Sequence, residues 1–153
     1  MSQAEAIVAH MLLQDAFSRW LDIRLISVNE GQVDLEMAVR HDMLNGFGRC
    51  HGGILFSLAD SALAFSSNSP GRVAVSVENS IAYAIPVERG DILKTRVEEI
   101  RRGARVSLYS IRLENQQGET VALFRGTVYR TGTLHDTGNA ALKTKSGAQE
   151  KDS

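Results

Sequence analysis

Residues 54–67 form an apolar run that is too long for a strand and carries a single charge, Asp60. Ile54, Leu55, Phe56, Leu58, Ala59, Ala62, Leu63 and Phe65 fall on nearly every side of a helix drawn through this run. A helix that is apolar all round is a buried helix, and wrapping by a sheet supplies that much cover. The run therefore predicts a buried central helix and asks the rest of the chain for strands.

The flanking segments answer that demand. Ile23, Leu25, Ile26 and Val28 are followed by a break at Asn29-Glu30-Gly31. Val33, Leu35, Met37 and Val39 then alternate with polar residues, which reads as a hairpin with a short turn. Beyond Ser69-Pro70-Gly71, strands are expected near residues 73–84, 92–99, 105–114 and 120–130. The breaks between them fall at residues 86–91, 101–103 and 116–118. In front of everything, Ile7, Met11, Leu12 and Phe17 recur at helical spacing, predicting one amphipathic helix over residues 4–20 that docks on the main body. The order is helix, hairpin, buried helix and then an antiparallel meander. This is an α+β arrangement, not alternating βαβ units. A chain of 153 residues fits one domain, over residues 1–133. From residue 134 the sequence turns small, polar and charged, and a disordered tail over 134–153 is expected.

Composition narrows the partners. The formal net charge is -1, which gives no attraction to nucleic acid or to an anionic membrane. No apolar stretch approaches the roughly 18 residues of a membrane span. The N-terminal segment is interrupted by Glu5, His10 and Asp15 and does not read as a signal peptide. Cys50 is the one cysteine, which rules out an internal disulfide and suits a cytoplasmic location.

Two features carry chemistry. The first is His51-Gly52-Gly53, which opens the buried helix after a glycine-rich loop. The first turn of a helix presents unpaired N–H groups and a partial positive charge. Without side chains at Gly52 and Gly53, a ligand oxygen can approach those donors, as an oxyanion hole requires. The same glycines could instead serve only a tight turn. The second is Asp60, which shares a helix face with Ser57 and Ser61. A solvent-facing side would carry Lys, Glu or Arg as well, and this helix has none. The carboxylate therefore looks like part of a pocket wall, where an unsatisfied charge is costly.

The run from Met43 to Gly53, Met-Leu-Asn-Gly-Phe-Gly-Arg-Cys-His-Gly-Gly, followed by Ser57-Leu58-Ala59-Asp60-Ser61-Ala62, resembles the active-site signature of the PaaI-type hotdog thioesterases. These are acyl-CoA thioesterases associated with phenylacetate degradation. Asn68-Ser69, the Tyr83…Pro86 pair before Gly90-Asp91, and the segment from Thr120 to Gly126 are similar to that family too. The likeness spans about residues 22–132. It implies a hotdog fold, an antiparallel sheet wrapped around a long central helix. It also implies hydrolysis of phenylacetyl-CoA or a related aryl or medium-chain acyl-CoA, with no metal or other cofactor. Carried over residue by residue, it makes Asp60 the nucleophile or general base and the Gly52 N–H the group that polarises the thioester carbonyl. Asn45 then places the carboxylate, the water or the substrate. His51 orients the loop, Gly53 lies against the substrate, and Ser76 is the nearest match to a serine that holds the attacking water in some relatives.

Helix geometry adds a constraint. Gly52 and Asp60 are eight residues apart, about 12 Å along the axis at 1.5 Å per residue. An attacking group must come within about 3–3.5 Å of the carbonyl carbon. One chain cannot supply both groups to one substrate, so a homo-oligomer with a site shared between subunits is expected, a dimer or a dimer of dimers (homotetramer) by resemblance. Other readings are weaker. Cys50-His51 are sequence neighbours and rarely face each other as a nucleophilic dyad. His10, His41 and His135 show no metal-ligand spacing. Asp34, Glu36 and His41 read as solvated strand residues. Arg101, Arg102, Arg105 and Arg125 could meet CoA phosphates or simply be solvated. A hydratase would need a histidine paired with the helix acid. A non-catalytic acyl-CoA sensor would be expected to lose that acid.

Overall fold

The computed structural model describes residues 1–137. Its elements are the helices α1 (Gln3–Gln14), α2 (Ala16–Trp20) and α3 (Gly52–Asn68), and the strands β1 (Arg24–Asn29), β2 (Gln32–Ala38), β3 (Arg72–Tyr83), β4 (Ile92–Arg102), β5 (Val106–Glu114) and β6 (Thr120–Leu134). All neighbouring strands run antiparallel, in one six-stranded sheet of order β1-β2-β4-β5-β6-β3.

The buried helix is α3, and it packs against β2, β3, β4, β5 and β6. Leu58, Ala59, Ala62, Leu63 and Phe65 are at most 1% exposed. From the sheet they meet Leu35, Met37, Leu93, Ile111, Leu113 and Phe124, all fully buried. Each such Leu, Ile or Phe withdrawn from water contributes about 1.5–3 kcal/mol, which is what holds the sheet around the helix. The last turns of α3 are polar for a different reason. Ser66 Oγ accepts the Val33 N–H at 2.9 Å and Ser69 Oγ accepts the Gly31 N–H at 2.8 Å. The helix end thus completes the backbone hydrogen bonding of the first hairpin.

Three expectations change. The meander holds only for β4, β5 and β6. Strand β3 pairs with β6 at the far edge, and β4 pairs with β2. The connection from Tyr83 to Ile92 carries the chain from one sheet edge back beside the hairpin. The N-terminal helix is two helices, because Asp15 stops α1 and caps α2, its Oδ1 accepting the Ser18 N–H at 2.9 Å. Ala4, Ile7 and Val8 are its buried residues, whereas Phe17 stays half exposed. Asp34 is not solvated. It is 5% exposed, and its Oδ1 accepts the Val97 N–H at 2.9 Å where the β2–β4 ladder has ended. Beside it Thr95 Oγ1 accepts the Leu35 N–H at 2.8 Å, so side chains take over from the ladder.

At the C-terminal boundary, β6 runs through Leu134, and the His135 N–H donates to the Gly71 carbonyl at 2.8 Å. Ordered chain therefore passes residue 133. The rest of the expected tail, residues 138–153, lies outside the described residues.

Candidate active site

The start of α3 is built by close backbone approach. His51 is the N-cap, and its Nδ1 accepts the Gly53 N–H at 2.9 Å. The Ile54 N–H donates to the His51 carbonyl at 2.9 Å. Among the described residues the Gly52 N–H, also in the first turn, has no such acceptor. Tyr83, at the end of β3, donates its hydroxyl to the Gly52 carbonyl at 2.8 Å. A Cβ on Gly52 would lie 2.9 Å from that hydroxyl, and a Cβ on Gly53 would lie 3.1 Å from His51 Nδ1. The glycines thus let Tyr83 and His51 pack closely on the helix start.

The loop before the helix is held in a short hairpin by a Leu44–Cys50 bridge. Inside it, Asn45 Oδ1 accepts the N–H groups of Phe47 at 2.9 Å and Arg49 at 3.2 Å. That leaves the Asn45 amide nitrogen to a ligand. Asn45 and Gly52 line one cleft together with Arg49, Tyr83 and Pro86. A second cleft on the other side of the helix start is lined by Phe17, Trp20, Met43, His51, Gly53 and Ile54. Phe17 and Trp20 stack with centroids 5.8 Å apart, and the Arg40 guanidinium lies 5.0 Å over the Trp20 ring. Both rings remain about half exposed.

Asp60 sits two turns further along α3. Its Oδ1 accepts from Asn79 Nδ2 on β3 at 3.2 Å, and Asn79 Oδ1 accepts from Ser76 Oγ at 3.0 Å. Burial pushes the Asp60 carboxyl above the usual carboxylate range, the Asp15 carboxylate adds to that, and the Asn79 hydrogen bond pulls it back. Asp15 is itself tied to the site: Ser18 Oγ donates to Asp15 Oδ2 at 2.6 Å and lies 2.8 Å from Ser61 Oγ.

The three polar residues of the helix face therefore have separate partners. Ser57 bonds the Gly53 carbonyl of its own helix, Asp60 faces β3, and Ser61 is buried against α2. Asn45, His51, Gly52 and Gly53 cluster at one end of α3, while Asp60 and Ser76 cluster around Asn79 further along. Asn79 and Asp15 escaped sequence reasoning as site residues, whereas Tyr83 and Arg49 lay in segments marked by resemblance without a role. Only the fold shows that β3 lies against α3, although Asp15 before Ala16-Phe17-Ser18 is a recognisable N-cap signal.

Among the doubtful candidates, Arg102 is engaged by Glu30 and Glu99, away from the helix start. Cys50 is buried, and burial followed by the Asp91 charge pushes its thiol up to about 11, the opposite of an activated nucleophile. Among the described residues no group of three or more His, Cys, Asp or Glu converges as metal ligands would, and no helix is long and apolar enough to cross a membrane.

A long helix wrapped by an antiparallel sheet is the hotdog fold. The comparisons agree. The thioesterase superfamily model matches residues 47–122. The acyl-coenzyme A thioesterase PaaI of Escherichia coli is 42% identical over 125 residues, which is 81% of this chain and 89% of that protein. The solved structure of E. coli PaaI, from the phenylacetic acid degradation operon, superposes with a TM-score of 0.84 at 40% identity, covering 86% of this chain and 96% of that one. A Streptococcus pneumoniae thioesterase solved with coenzyme A gives a TM-score of 0.77 at 26% identity, over 82% and 98% of the two chains. The chain belongs to the thioesterase superfamily, among its PaaI-type hotdog members, and is a thioester hydrolase.

Proposed function

We propose that this enzyme hydrolyses acyl-CoA esters, preferring phenylacetyl-CoA and related aryl-acyl groups, at sites each built by two subunits. One observation carries the reading: α3 lies along β3 with its glycine start at Tyr83 and its carboxylate at Asn79. β3 is an edge strand of twelve residues, paired among the described residues only with β6. Its other edge is open, with Val75 50% and Val77 66% exposed, a template for pairing with a second copy. Antiparallel pairing of two β3 edges about a two-fold axis near Ile81 sets Tyr83 opposite the partner's Asn79. The start of one α3 is then brought to the partner's Asp60, which closes the gap of about 12 Å that one helix leaves. Ile100, Val106, Leu108 and Tyr129 are at least 40% exposed on the sheet face away from α3. A second pairing there would make a dimer of dimers.

The thioester oxygen sits at the Gly52 N–H, where the helix end and its dipole favour the developing negative charge. The partner's Asp60 attacks the carbonyl carbon, or takes a proton from a water that does. The C–S bond then breaks and CoA leaves as the thiolate. On the general-base route the proton held by Asp60 passes to that thiolate and the acid is released. On the nucleophilic route a water then hydrolyses the mixed anhydride on Asp60, freeing the acid and restoring the carboxylate. Asn45 offers its free amide N–H groups beside the carbonyl, and His51 locks the loop. The cleft beside Arg49, which pairs with Glu88 at 3.7 Å, suits the pantetheine arm of CoA. The cleft of about 270 Å³ lined by Phe17 and Trp20 suits a ring better than a long chain. The similarity to PaaI supports the same choice.

A panel of acyl-CoA esters assayed for thiol release tests this. Phenylacetyl-CoA should give the higher kcat/KM against palmitoyl-CoA. The reverse order would overturn the acyl preference, and absence of thiol release from every ester would overturn the substrate class.

A further inference from the structure

We infer that Asn79 is a positioning residue for the reaction: clamped by Ser76, its amide fixes the Asp60 carboxylate through one oxygen and leaves the other oxygen to the substrate or the attacking water. The inference rests on the reading of Asp60 as the catalytic carboxylate and adds to it a residue that the sequence motif does not contain.

The orientation of the amide is forced by its partners. The Asp60 carboxylate accepts only, so the NH2 group turns to it, with Nδ2 3.2 Å from Oδ1, and Asn79 Oδ1 is left to accept from Ser76 Oγ at 3.0 Å. The flipped amide would set a carbonyl oxygen against a carboxylate, which is repulsive. The fold also makes room for this side chain. Asn79 is the register partner of Gly126 on β6. A Cβ at Gly126 would lie 3.1 Å from Asn79 Oδ1 and 2.6 Å from Leu63. The glycine lets Asn79 reach over β6 towards α3. It also gives a physical reason for the end of the Thr120–Gly126 segment, which resemblance alone had marked.

Within one chain the groups that face Asp60 are few. From the α1–α2 junction comes the Asp15 carboxylate, held by Ser18. From β3 comes the neutral Asn79 amide, and β6 offers only Gly126 opposite it. On α3 itself Ser57 and Ser61 are turned to other partners. Burial and Asp15 both favour the protonated acid, and Asn79 alone among these favours the carboxylate. Its loss has two separable effects. The carboxylate loses its fixed direction, which lowers kcat, and it is harder to ionise, which moves the acid limb of the pH profile.

The test compares Asn79→Leu, Ser76→Ala and Asp60→Asn with the parent protein, in steady-state kinetics from acid to neutral pH on one acyl-CoA. Circular dichroism checks each fold. Asn79→Leu should lower kcat about 10-fold, the worth of one charge-assisted hydrogen bond, with KM little changed. The acid limb of its kcat/KM profile should move to higher pH. Ser76→Ala should move both in the same direction by less, and Asn79→Ala, a smaller change at the same position, decides the matter if Asn79→Leu fails to fold. Parent-like kcat and an unmoved acid limb, with Asp60→Asn inactive, would overturn the inference alone. Parent-like rates in Asp60→Asn would overturn the underlying reading instead.

Discussion

Asp60 pays for its position in stability. Its carboxyl is raised by burial and by Asp15, so the folded chain holds the proton more tightly than the unfolded chain does. The sign follows from linkage: the stability from this group is fully present below its unfolded pKa and is lost as pH rises through the raised folded value. Asp60→Asn cannot ionise and escapes that loss. Its Tm at neutral pH is expected to equal or exceed the parent's, with the gap closing in acid. Thiol release should fall on the order of 10²-fold or more, because the proposed base or nucleophile is gone. A lower Tm at neutral pH, or a rate above about a tenth of the parent's, would contradict this assignment. At this scale the sequence exposed what is chemically odd, a lone acid in an apolar helix and paired glycines at its start. Asn79 looks ordinary in a strand, and resemblance marked Tyr83 without giving it a role. Only packing of β3 on α3 gives them partners, and no local pattern encodes that contact.

Elements were more legible than their arrangement. Hydrophobic period and turn residues located the central helix and all six strands, since both are local signals. Strand order was not local. The expected meander failed because β3 and β4 are adjacent in sequence yet separated by β5 and β6 in the sheet. The loop before α3 shows how an element can hold a reactive-looking residue for structural reasons. Cys50 donates its N–H to the Val87 carbonyl at 2.8 Å and bridges to Leu44, and its side chain packs in the core. With its thiol pushed up to about 11, it serves the loop's shape. Cys50→Ala should cost about 1 kcal/mol of stability and keep more than about half of kcat. Denaturant unfolding and the thiol-release assay check the two halves. Loss of nearly all activity in a folded Cys50→Ala protein would return the cysteine to the mechanism.

At the scale of the whole molecule, the proposed mechanism makes the chain half of a machine. The carbonyl site and the carboxylate lie on one helix, too far apart to meet, along a strand whose free edge invites its own copy. A two-fold axis resolves both facts at once. Subunit complementation tests this directly. An Asp60→Asn chain is mixed with a Gly52→Val chain, whose new side chain would collide with Tyr83. Both parents are first shown to be folded and inactive, and exchange is followed with differently tagged chains. Random exchange makes half of the dimers mixed, each with one intact site in two, so about a quarter of the parent activity should return. Exchange without any return of activity, or full activity in a wild-type monomer, would contradict the shared site.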